Sequence, residues 1–123
     1  MKVVINRCHG GFGLSDEAFA MLLNRKGVKY EINLAQVAIG LKEKQFYAAG
    51  HLDDGDYYLD QYDYCDNSQR GDPDLVAVVE QLGEGANGWA ADLKIVEIPD
   101  DVKWHIAEYD GMEWIAENHR TWH

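Results

Sequence analysis

The side chains best able to attack a carbonyl or hold a metal are two cysteines and five histidines. Cys8 stands beside His9, with His51, His105 and His119 further along, so the residue types of a Cys–His nucleophile pair are present. No local motif brings them together. Cys8, His9, His51 and Cys65 could also offer nitrogen and sulfur ligands to zinc, but their spacings match no zinc motif, and no metal site is expected. With 22 acidic residues, chance pairs of carboxylates are common, so no glycosidase pair can be argued. No catalytic residue and no cofactor is assigned.

Two stretches could bind rather than react. The first is Gly10-Gly11-Phe12-Gly13-Leu14-Ser15, which follows the apolar run Val3-Val4-Ile5 and precedes a helical pattern. Backbone N–H groups in such a loop, next to a helix N-terminus, can cradle a phosphate, so Gly10, Gly11, Phe12, Gly13 and Ser15 are candidate contacts for a nucleotide-like ligand. Against this, Asp16 stands where a dinucleotide fingerprint wants its third glycine, no Gly-Lys-Ser/Thr follows, and Asp16 and Glu17 would repel an anion. A structural turn with Phe12 anchored in the core is the alternative.

The second stretch interleaves acid with aromatic: Tyr57-Tyr58-Leu59-Asp60-Gln61-Tyr62-Asp63-Tyr64-Cys65. It reads as an edge strand or extended loop, with Tyr58, Asp60, Tyr62 and Tyr64 on one side. Between Asp53 and Asp74 the chain holds eight aspartates against Arg70 alone. Solvation explains such a run, but tyrosines in a carboxylate surround also suit recognition of a basic protein. Asp53, Asp54, Asp56, Tyr58, Asp60, Tyr62, Asp63 and Tyr64 are the candidate partner-binding residues. A calcium loop fails here, because Asp54-Gly55-Asp56 lacks the spacing and closing Glu of an EF-hand.

Composition narrows the partner. At 123 residues the chain suits one domain, and its net charge of −11 argues against direct binding to nucleic acid or an anionic membrane. No apolar run approaches a membrane span, and Met1 to Asn6 turns polar too quickly for a signal peptide. A cytosolic protein with free thiols at Cys8 and Cys65 is expected.

These stretches must be held by an α+β fold. Lys2–Asn6 and Val28–Ile32 read as neighbouring strands, while Leu34, Val37, Ala38 and Leu41 recur at helical spacing within 34–49, where a helix or helical turn is expected. Helices are expected over Asp16–Lys26, capped by Ser15, and over Pro73–Leu82, capped by Asp72. Leu93–Ile98, Val102–Ala107 and Met112–Ala116 read as a three-stranded antiparallel meander whose second turn, Asp110-Gly111, fits type I′. Alternation puts Val102, Trp104 and Ile106 on one face and Lys103, His105 and Tyr109 on the other. Trp122 is expected to fold back on the sheet. The whole is a mostly antiparallel sheet with both helices packed on one face.

Several of these stretches together carry a resemblance. Lys2-Val3-Val4-Ile5-Asn6-Arg7-Cys8 with Gly10-Gly11-Phe12-Gly13-Leu14-Ser15, Asp72-Pro73-Asp74-Leu75-Val76, Lys94-Ile95-Val96-Glu97-Ile98-Pro99, Tyr109-Asp110-Gly111 and His119-Arg120-Thr121-Trp122 resemble a family of small uncharacterised proteins of tailed bacteriophages and prophages. The likeness covers both ends and leaves out Gln36 to Gln69. It implies a phage setting and carries no site. Binding and inhibition of a host defence protein with a basic surface is the function expected, beside the binding or hydrolysis of a nucleotide-like ligand at the Gly10–Ser15 loop or a virion structural or assembly role.

Overall fold

The computed structural model describes residues 1–38 and 41–117, with the backbone alone over 35–38 and 41–43. Among them are six strands and three helices: β1 (Lys2–Asn6), α1 (Asp16–Arg25), β2 (Tyr30–Ala38), β3 (Leu41–Ala48), α2 (Tyr62–Cys65), α3 (Pro73–Leu82), β4 (Leu93–Glu97), β5 (Trp104–Tyr109) and β6 (Met112–Glu117). The fold is α+β and every strand pair is antiparallel, but the pairs form three two-stranded sheets, β1–β4, β2–β3 and β5–β6. No described helix is long and apolar enough to cross a membrane.

The strand β1 has two buried faces, as a continuous apolar run requires. Val4 faces the main core with Phe19, Leu22 and Leu23 of α1 and Leu75, Val78 and Val79 of α3, whereas Val3 and Ile5 join Ile106 in a second cluster closed by Trp104, Val96 and Ile115. This corrects the expected meander. β4 pairs with β1, from Lys2↔Glu97 to Asn6↔Leu93, because β4 too carries apolar residues on both faces and completes a central layer. Only β5 and β6 form the expected hairpin, in the register Tyr109↔Met112, and it packs against β1 instead of extending a meander from β4. Asp110 and Gly111 have φ of 51° and 87°, the left-handed values a type I′ turn demands at both positions.

The expected helix within 34–49 is a correction as well. β2 and β3 form a hairpin there, and β2 pairs with β3, not with β1. Packing overrides the helical spacing: Phe46 meets Phe19 edge-on at 4.9 Å and Tyr30 at 5.5 Å, while the Tyr47 ring meets that of Tyr58 at 5.6 Å. A helix could not present adjacent Phe46 and Tyr47 to opposite neighbours. Gly40 and Trp122 lie outside the described residues.

Both long helices follow their end signals. Ser15 Oγ accepts the Ala18 N–H at 3.1 Å, and Ala18, Phe19, Leu22 and Leu23 form the buried stripe. Asp72 caps α3 and also holds Lys26 at 2.6 Å, tying the end of α1 to the start of α3. That contact raises the Lys26 pKa above 10.5, the hydrogen bond to Asp72 outweighing the opposing effect of burial. Replacing Asp72 by Ala is expected to destabilise the fold by about 1–2 kcal/mol at neutral pH, measured by urea unfolding. The Lys26 share of this penalty is present below the ordinary lysine pKa and vanishes as pH rises through the raised one, so the gap between mutant and parent narrows in strong alkali. A coincident pair of unfolding curves at neutral pH removes Asp72 from the cap.

Candidate functional site

Residues 53–69 form a chain of small turns, and their aspartates build them. Asp54 accepts the Asp56 N–H at 3.1 Å to start the turn Gly55–Tyr57, Asp60 accepts the Tyr62 N–H at 3.0 Å ahead of α2, and Asp66 closes a capping box with Gln69 around Asn67–Gln69. Hydrogen bonds from Ser68 hold the Asp66 carboxyl below the usual range. Asp53, at φ 63°, accepts from the Asn33 side chain. Much of the acidity is therefore capping chemistry, which favours Asp over larger residues. The expected edge strand is reduced to one bridge, Tyr47↔Tyr58. Tyr62 is 71% exposed, Tyr58 47%, and Tyr64 is turned inward against Phe19 at 5.9 Å by the helical turn of α2.

A cleft of about 490 Å³ brings the two candidate stretches together. Gly11 and Phe12 of the glycine loop line it with Tyr58, Asp60 and Tyr62 of the acidic stretch; Asp53, Asp54, Asp56, Asp63 and Tyr64 do not. Its buried end holds a side-chain pair that the sequence reading missed. Arg70 and Glu113, 3% and 5% exposed, make a bidentate ion pair at 2.6 and 3.0 Å. Arg70 gives its remaining N–H groups to Cys65 O, Val4 O and Asn67 Oδ1, and its guanidinium lies 3.6 Å from the Phe12 ring centre. Glu113 Oε1 also accepts the Asn6 N–H at 2.8 Å. Two signals pointed there: Arg70 is the lone cation among eight aspartates, and Glu113 sits two residues from Ile115, on the inward face of β6.

The glycine loop is fastened on every side. Gln61 accepts the Leu14 N–H at 3.0 Å and donates to Leu14 O at 2.9 Å, Ser15 N donates to Ala86 O, and Gly13 O accepts from Gly88 N. Gly10 must be glycine for closeness: a Cβ there would stand 1.7 Å from Ala90 O. Asn6, fully buried, donates to Cys8 O and Gly111 O and accepts from Asp92 N, stitching three segments.

The nucleophile candidates are dispersed. Cys8 Sγ lies 3.1 Å from Ala90 O, His9 Nδ1 3.2 Å from Asp110 O, and His51 stacks on Tyr57 at 3.6 Å. Burial pushes the Cys65 thiol up to about 12, so at neutral pH it is a protonated apolar filler, not a nucleophile. Among the described residues no group of three His, Cys, Asp or Glu side chains could hold a metal. His119 and His123 lie outside the described residues.

No protein-family model, no curated protein and no solved structure matches the chain.

Proposed function

We propose that this protein acts by non-catalytic binding, as an inhibitor of a bacterial host's defence protein in a phage-infected cell, with a basic partner met through the Asp53–Tyr64 face. One observation carries the reading: Tyr58 and Tyr62 stand exposed at the mouth of a preformed cleft, in a chain of net charge −11. Exposed tyrosines order little on binding and fill pockets well, and the surrounding charge speeds encounter with a basic surface. The resemblance to phage and prophage proteins supplies the setting.

The test is capture from bacterial lysate followed by binding kinetics at two salt concentrations. Asp60→Asn with Asp63→Asn is expected to slow association and flatten its salt dependence. Tyr62→Ala is expected to speed dissociation, weakening affinity by about 2 kcal/mol. Parent-like kinetics in both variants would remove the acidic face from the interface.

A ligand at the glycine loop has one observation in its favour, a groove of about 1010 Å³ between Gly10–Ser15 and Asn87–Ala91. It is disfavoured because the Leu14 and Ser15 amides are already spent and Asp16 opens the helix. A thermal-shift screen of nucleotides separates the two readings, and co-purification with virions would point to assembly instead.

A further inference from the structure

The geometry points to the occupant of the cleft: one arginine side chain of the protein partner, its guanidinium received in the space that Phe12, Phe46 and the half-exposed Tyr58 line. This rests on the protein-binding reading above and names the anchor of that interface.

Charge excludes the opposite choice. Among the described residues that line the cleft, the carboxylates of Asp16, Asp60 and Glu108 outnumber the one ammonium, Lys44, so an entering anion meets net repulsion from them and a cation net attraction. The buried cation cannot reverse this. Arg70 is neutralised by Glu113, and its N–H groups are directed to Cys65 O, Val4 O and Asn67 Oδ1. Asp60 and Glu108 each spend one oxygen on a backbone amide, of Tyr62 and Gly111, which fixes the carboxylates while leaving them charged.

The walls then choose between the two cationic side chains. A guanidinium is flat and weakly hydrated and stacks on rings, whereas an ammonium gives up a tight hydration shell to enter the same space. The cleft already contains one such stack, Arg70 on Phe12 at 3.6 Å. The volume, about 490 Å³, is in the range of preformed side-chain and ligand pockets.

The test is a titration of the full chain with N-acetyl-arginine amide, with the lysine and citrulline analogues beside it, followed through backbone amide shifts. Citrulline keeps the shape and loses the charge. Arginine is expected to give saturable shifts at Gly11, Tyr58 and Gln61, lysine to bind at least about tenfold more weakly, and citrulline not to saturate. The Asp60→Asn/Glu108→Gln variant keeps both backbone hydrogen bonds and should lose about tenfold in affinity with an unchanged melting temperature. Equal responses to arginine and citrulline, shifts confined to Asp53–Asp56, or parent-like binding by the double variant would overturn the inference. Tyr62-dependent capture of a basic protein with no cleft shifts from arginine amide overturns the arginine anchor and spares the interface. Cleft shifts from arginine with no protein captured spare the pocket and overturn the interface reading.

Discussion

Replacing Glu113 by Ala is expected to lower the unfolding free energy by about 3–5 kcal/mol, the cost of leaving a buried charge without its partner. The change strands the Arg70 guanidinium, 3% exposed, and orphans the Asn6 N–H in the centre of the fold. A domain of this size is stable by only about 5–15 kcal/mol, so the variant should unfold at much lower urea than the parent. Replacing the pair together, Arg70→Met with Glu113→Leu, should recover a large part of the loss, because the expense lies in breaking the pair and not in lacking it. A single variant with the parental midpoint would show that water reaches Arg70 and that the pair is not sealed.

Gly111→Val should cost at least about 2 kcal/mol through two separate causes. The backbone at φ 87° strains any branched residue by about 1–3 kcal/mol, and a Cβ would stand 2.6 Å from His9 O and 2.7 Å from Gly11 N. Neither neighbour is the flexible end of a side chain, so the hairpin and the glycine loop must separate. Gly111→Ala, free of branching, isolates the clash from part of the strain. Thermal unfolding of both variants checks the order expected, parent above Ala above Val.

The parts legible in the sequence are those whose signal is local. Ser15, Asp72 and Pro73 announce helix starts through short-range hydrogen bonding, and Asp110-Gly111 announces its turn through φ alone, so these elements stand where expected. Strand partnership is not local. Leu93–Glu97 offers the same apolar edge to β5, a few residues away, and to β1, ninety residues back, and only the three-dimensional burial of Val3 and Ile5 decides. The hairpin at 30–48 was hidden because Leu34, Val37, Ala38 and Leu41 mimic a helix stripe while the deciding contact, Phe46 on Phe19, is tertiary. The cleft was half legible. The glycine loop and the acidic, tyrosine-rich stretch each stand out in the sequence as a binding stretch, but nothing in either says that Gln61 clamps Leu14 and makes them one site.

The pairing of β1 with β4, and of Asn6 with Glu113, also sets a timetable. The strand nearest the amino end is built into the centre of the protein through contacts 86 and 107 residues distant. Closing loops of that length before any reward is collected makes this pairing a slow step, and on the ribosome Val3-Val4-Ile5 emerges well before Leu93–Glu97 and must wait for it. During that wait it is an apolar, β-prone segment without a partner, the kind of segment that chaperones hold and that aggregates when they do not.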